Sequence, residues 1–257
     1  MFDVVGALQK SAYSLTSVTG RGGSRYYLHG PSGAKLQSVT TYLNVINKPG
    51  LMVWKENLTH EAWKVAMGMD PENPERIARG ILKGSSQAAA RYGNALHHYI
   101  EYELNYAING TLIDFQDSGE FEIDALREIA HKFVDWLAER GLTPLLSECP
   151  VANLETGYAG TIDLVAMDDK GCLYVVDIKT GKNIYAEHFY QLAAYRRAIL
   201  ELTDDYEIKC LAVKVREDGI AAYCDPDPDA SYVAFNCAVA LKDSLGYTNK
   251  LLKEVEW

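Results

Sequence analysis

Two aspartates and a lysine between Gly157 and Lys179, in GYAGTIDLVAMDDKGCLYVVDIK, are the residues of this chain best suited to do chemistry. Asp163 lies in one apolar, β-branched segment and Asp177 near the end of the next, with Lys179 two residues further on. The charged, glycine-containing Asp168-Asp169-Lys170-Gly171 between them reads as a hairpin turn. Pairing the two strands brings the carboxylates together. The two-residue period of a strand puts Asp177 and Lys179 on one face, with Ile178 turned into the core. Carboxylates held this close repel and raise each other's pKa unless a cation sits between them. Hard oxygen donors of this kind suit Mg²⁺ or Mn²⁺, which take one or two carboxylates and fill the remaining positions with water and phosphate oxygens. Asp-x-Lys alone is common, and a hairpin with exposed acids and an unrelated lysine meets the same pattern.

Other residues are candidates to join this group. Gly93, His97 and Glu101 lie four apart on an expected helix and share a face. A neutral His97 can ligate a metal with Glu101 orienting its ring, or the pair can be a packing glycine and a core histidine. Gln191 and Tyr195, one helical turn apart, can together reach a phosphate or a metal-bound water; read singly, they are a surface glutamine and a half-buried tyrosine. Glu148, on the strand before Asp163, adds a carboxylate. Arg76, Arg79, Lys83 and Arg91 cluster ahead of His97, either as contacts to a phosphate backbone or as a solvated helix face. Trp54, Trp63, Tyr42 and Tyr92 lie among the cations, where aromatic faces suit stacking of unpaired bases, although aromatics at helical spacing also build cores.

The elements that must position these residues follow from patterning. Residues 13–29 suggest a short hairpin with Gly20 to Gly23 at its turn, and Pro31-Ser32-Gly33 breaks the chain before a helix starting near Ser38. Helices are expected over Leu51 to Met67, Pro74 to Ala107, and Phe121 to Arg140, the last ending at Gly141. Strands follow at Leu145 to Leu154, Tyr158 to Ala166 and Cys172 to Ile178, then a helix at Glu187 to Glu201 and a strand at Ile208 to Val215. Asp225-Pro-Asp-Pro-Asp229 reads as a rigid turn before a closing helix over 229–256. This order implies an α/β fold, a sheet flanked by helices.

Composition bounds the class. With 257 residues, 48% of them hydrophobic, the chain can bury a full core, and no Pro/Gly/Ser-rich linker divides it, so one domain is expected. No apolar run approaches the roughly 20 residues that span a bilayer, and Met1 to Gly20 lacks a secretory pattern. A soluble, cytoplasmic protein without membrane contact is the expectation. Cys149, Cys172, Cys210, Cys224 and Cys237 are dispersed and support no disulfide framework, zinc site or iron–sulfur cluster. The formal charge of −10 is uneven: residues 1–100 carry 11 Lys and Arg against 6 Asp and Glu, residues 101–257 carry 14 against 29. A basic N-terminal part on an acidic body is a suitable face for a nucleic-acid backbone.

The ordered set Gly93-x-x-x-His97, Glu148, Gly160-x-x-Asp163, Asp177-x-Lys179-Thr180 and Gln191-x-x-x-Tyr195 resembles the RecB-like branch of the PD-(D/E)XK nuclease superfamily over about residues 90–216. Ser38-Val-Thr-Thr-Tyr-Leu43, Leu51, Trp54 and Arg91-Tyr-Gly93 are similar to the lead-in of exonucleases of the mitochondrial genome maintenance type and of related phage-encoded proteins. The resemblance implies a central mixed β-sheet flanked by helices, a restriction-endonuclease-like core at 91–216. A hairpin and helical DNA-binding elaboration at 1–90 would precede it, and a C-terminal turn and helix at 217–257 would close the domain. It implies Mg²⁺ or Mn²⁺ held by His97, Asp163, Asp177 and the carbonyl of Ile178, no iron–sulfur cluster, and catalytic roles for Lys179, Asp177, Asp163, Glu148, Gln191 and Tyr195. Arg76, Arg79, Lys83, Arg91, Trp54, Thr180 and Lys182 become the expected substrate contacts. The substrate implied is DNA, single-stranded or with a free end, in replication, recombination or repair and alongside the proteins of those processes. An endonuclease of the same fold and a catalytically silent binding module are the alternatives.

Overall fold

The computed structural model describes residues 3–20, 25–47, 49–110, 121–203 and 205–254. Contacts divide the chain into two compact units, Met1–Ile46 with Tyr99–Trp257, and Asn47–His98. The division therefore falls at Asn47 and His98 rather than near residue 90, and residues up to Ile46 belong with the larger unit.

The larger unit is built on an eight-stranded mixed sheet. Its strands are β1 (Leu15–Thr19), β2 (Arg25–His29), β3 (Lys35–Ser38), β4 (Thr143–Asn153), β5 (Tyr158–Met167), β6 (Leu173–Lys179), β7 (Ile208–Arg216) and β8 (Gly219–Cys224). The path is β1-β2-β3-β5-β6-β7-β8, with β4 pairing β5 in addition. β3 lies parallel to β5, and β6 parallel to β7; the other pairs are antiparallel.

β5 is the pivot. β4 runs along nearly all of one edge, from Tyr158 to Met167. The other edge is shared: β3 pairs only with Tyr158 and Ala159, and β6 only with Leu164 to Met167. Among the described residues, Gly160 to Asp163 lie in the fork between these two ladders.

The helices of this unit are α1 (Val4–Tyr13), α2 (Val39–Leu43), α5 (Ile123–Glu139), α6 (Ala186–Leu200) and α7 (Pro228–Glu254), with the end of α4 (Pro74–Asn109). α5 buries Leu126, Ile129, Ala130, Phe133, Trp136 and Leu137, an i, i+3, i+4 pattern that produces one apolar stripe. It stops where Gly141 takes φ 64°, letting the amides of Gly141 and Leu142 reach the carbonyls of Ala138 and Leu137. α7 anchors the opposite layer through the fully buried Phe235, which meets Tyr158 of β5 at 4.9 Å and 75° and Tyr42 of α2 at 6.2 Å and 87° between ring centroids. No described helix is long and apolar enough to cross a membrane.

The smaller unit pairs α3 (Pro49–Met69) with the first part of α4. Ala62, Ala66 and Ala78 are buried between them, against Ile77, Ile81 and Leu82, and the small side chains let the backbones come close. Asp70 accepts the amides of Glu72 and Asn73 ahead of Pro74, which suits the first turn of α4 because it lacks an amide hydrogen.

A hairpin and three or four later strands were expected; among the described residues the sheet has eight strands. The N-terminal hairpin, expected within a DNA-binding elaboration, is an edge of the central sheet, because β3 connects it to β5. β3 has only four residues and the exposed β8 has no apolar alternation, so neither leaves a periodic signal. The short helix α1, capped by Asp3 accepting the Gly6 amide, was also not expected. Residues 21–23 of the hairpin turn and 255–256 of the closing helix lie outside the described residues.

Truncating Phe235 to Ala removes the ring that joins α7, α2 and β5, and is expected to cost about 3–5 kcal/mol. Urea unfolding followed by circular dichroism checks this as a lowered midpoint with an unchanged slope.

Candidate active site

The turn that closes the β5–β6 hairpin is set by Asp168. Its carboxylate oxygen accepts the amides of Lys170 and Cys172, its own amide donates to the Cys172 carbonyl, and Gly171 supplies φ 81°. This fixes a register in which Leu164 faces Val176, making Asp163 and Asp177 the next opposed residues. There the ladder changes character. The Ile178 amide donates to the Asp163 carboxylate at 2.7 Å rather than to a strand carbonyl. A side chain of β5 thus takes a backbone partner on β6 at the mouth of the fork.

Asp177 is almost fully buried, so its charge needs partners. Lys179 donates to its Oδ1 at 2.7 Å and the Gln191 side-chain amide donates to the same oxygen at 3.1 Å. Gln191 also donates to the Tyr195 hydroxyl at 3.2 Å. Both α6 residues are buried, so they form an inward relay behind Asp177 rather than the surface glutamine and half-buried tyrosine their sequence also allowed. Tyr195 faces Gly160: a Cβ there would collide with Cε1 of the ring, with the hydroxyl oxygen only 2.7 Å away. The glycine in the fork is the space the tyrosine occupies.

The electrostatics follow from this crowding. Burial by itself would lower the Lys179 ammonium, but Asp177 and Asp163 more than offset it, and its pKa stands above the ordinary lysine value. Burial raises Asp163, against the opposing pull of Lys179 and the Ile178 amide. Glu148 is pushed up to about 8, first by desolvation and then by Asp163 and Glu101, while Arg25 pulls the other way. Glu148 nonetheless remains exposed to solvent. It is flanked by the pairs Ser147–Leu164 and Cys149–Ile162, so it stands opposite Asp163. Its φ of 48° is the one positive value among described non-glycine residues, a conformation that costs an L side chain energy and is held by its surroundings.

The structure brings together Asp163, Asp177, Lys179, Glu148, Gln191, Tyr195 and the Ile178 backbone. Thr180 is half-buried, its carbonyl accepting from Arg216 at 3.2 Å, and Lys182 is exposed beyond it. His97 is half-buried on α4, in the smaller unit. The same unit carries Trp54, Arg76, Arg79, Lys83 and Arg91, all exposed, with Arg79 also pairing Glu75 at 2.5 Å. Shallow grooves on this unit run past Lys55, Arg79 and Lys83 and past Trp63 and Arg76. Arg25, which acts on Glu148, and Glu187, which acts on Lys179, were not anticipated. Nothing in the sequence pointed to Arg25, because β2 was not expected to join the sheet.

Among the described residues no three His, Cys, Asp or Glu side chains are grouped to hold a metal ion. Lys179 and Gln191 donate to one oxygen of Asp177, and the Ile178 amide to one oxygen of Asp163. The donors still suit Mg²⁺ or Mn²⁺. Such ions need only one or two carboxylates beside water and phosphate oxygens.

A family model, that of the PD-(D/E)XK nuclease superfamily, matches residues 72–244. No curated protein matches the chain.

Gly160→Ala is expected to push the Tyr195 ring aside and destabilise the protein by roughly 1–3 kcal/mol. Thermal unfolding checks it: loss should be confined to this substitution, while Gly181→Ala, at an exposed glycine with open space around it, should leave the midpoint nearly unchanged.

Proposed function

The chain belongs to the PD-(D/E)XK nuclease superfamily, and from that premise we propose that it is a Mg²⁺- or Mn²⁺-dependent exonuclease of the RecB-like branch, hydrolysing phosphodiester bonds from the ends of single-stranded DNA. The observation that carries this reading is the convergence of Asp163, Asp177 and a charged Lys179 at the fork of β5 and β6.

Asp163, Asp177 and the Ile178 carbonyl are the groups that would hold the ion, with His97 as the fourth ligand the resemblance implies. When bound, the ion supplies Lewis acidity to the phosphodiester and charge to the departing oxygen. The chain's own residues supply the rest. Lys179, kept protonated by its carboxylate neighbours, stands ready to neutralise charge that builds on the phosphoryl oxygens. Gln191 holds Asp177 in one orientation, and Tyr195 holds Gln191. Glu148 adds a carboxyl opposite Asp163, where it can take up or hold a proton.

The preference for unpaired DNA rests on the smaller unit, where Trp54 and Trp63 are exposed among Arg76, Arg79, Lys83 and Arg91. Aromatic faces between cations favour stacked bases on a strand whose phosphates are neutralised. By the same resemblance, the protein would work in DNA replication, recombination or repair, as phage-encoded exonucleases of this type do.

End-labelled linear single-stranded DNA incubated with Mg²⁺ or Mn²⁺ is expected to be degraded from an end, while supercoiled plasmid stays intact. Asp177→Asn and Lys179→Ala, each shown to be folded, should lose at least about a hundredfold in rate. Equal turnover by wild type and both variants, or nicking of the plasmid, would overturn the reading.

A further inference from the structure

We propose that Arg25 is a substrate-binding residue, its guanidinium gripping a phosphate of the nucleic-acid strand beside the one being cleaved; this rests on the nuclease reading above.

The sheet puts Arg25 there. In the β2–β3 pair Tyr26 faces Gln37 and Tyr27 faces Leu36, and β3 continues onto β5 through Gln37–Tyr158 and Ser38–Ala159. Tyr27 is buried, and its hydroxyl meets the Thr161 hydroxyl at 2.9 Å, fastening β2 over the fork two residues before Asp163. Side chains two apart on a strand share a face, so Arg25 stands with Tyr27, and Asp163 with Thr161, on the side where those hydroxyls touch. On the far side of β5, Glu148 lies directly across from Asp163.

Charge balance supplies the need. A phosphate anion must approach Asp163, Asp177, Glu148 and Glu101 on a chain of net charge −10. Lys179 is already bonded to Asp177. Arg25 is exposed, and its side chain makes no hydrogen bond or ion pair among the described residues. An uncommitted guanidinium at the rim of a carboxylate cluster offers a planar fork that matches two phosphate oxygens. A role limited to offsetting carboxylate repulsion would need no such reach into solvent.

The test is binding of a fluorescein-labelled single-stranded oligonucleotide in EDTA, read by anisotropy across a salt series for wild type, Arg25→Ala and Arg25→Lys, together with steady-state kinetics in Mg²⁺. Loss of one phosphate contact should lower the slope of log affinity against log salt by about 0.7 and weaken binding roughly tenfold. Arg25→Lys should restore the slope while recovering only part of the affinity. KM should rise more than kcat falls in Arg25→Ala. An unchanged slope and affinity in Arg25→Ala, or a lowered melting temperature with the slope intact, would overturn the proposal while an active wild type leaves the nuclease reading standing. If wild type binds but does not degrade DNA, the slope still decides the role of Arg25 and the nuclease reading alone falls.

Discussion

The site depends on a single hydrogen bond between a side chain and a backbone across two strands, the Ile178 amide donating to the Asp163 carboxylate. Without it β5 and β6 could continue their ladder past Leu164 and Val176, and Asp163 would be one more residue in a closed sheet. With it, the strands separate where the carboxylates lie. The bond also stabilises the charged form of Asp163 against its burial, so one contact shapes the cleft and sustains its charge.

A second chain of contacts secures the other aspartate. Asp177 is held by Gln191, Gln191 by Tyr195, and Tyr195 by the space over Gly160. This line runs from the sheet to α6 and back to β5, so the orientation of a buried carboxylate is tied to how a helix sits on the sheet. Buried polar groups are costly when partly satisfied, which is why such a relay rigidifies its surroundings. The phenol itself is pushed well above its ordinary pKa by burial and stays neutral, as a positioning group should.

Charge is distributed unevenly between the acidic body and the more basic N-terminal part. Glu148 is raised by burial and by its carboxylate neighbours, with Arg25 pulling the other way. The arginines and lysines on α4 are exposed, so their fields are screened by salt. On the proposed reading, local chemistry uses an ion and a close cation, while recruitment needs only a charged patch.

How much was legible in the chain follows from the range of each interaction. The β5–β6 hairpin could be read because turn chemistry at Asp168 and Gly171 and strand period act within a few residues, and they alone bring Asp163 opposite Asp177 and put Lys179 beside it. Helices α3 to α7 were likewise visible, since their apolar spacing and stop signals are local. The three N-terminal strands joining the sheet were not, because a four-residue β3 carries no period and its partner lies more than a hundred residues away. For the same reason Arg25, the positive φ of Glu148 and the collision that makes Gly160 necessary were invisible. The sequence by itself determined which residues could do chemistry and the local elements that carry them; only the tertiary structure decided the fork in β5, the burial of Gln191 and Tyr195, and the cation beside Glu148, because each depends on contacts between segments that sequence spacing does not encode.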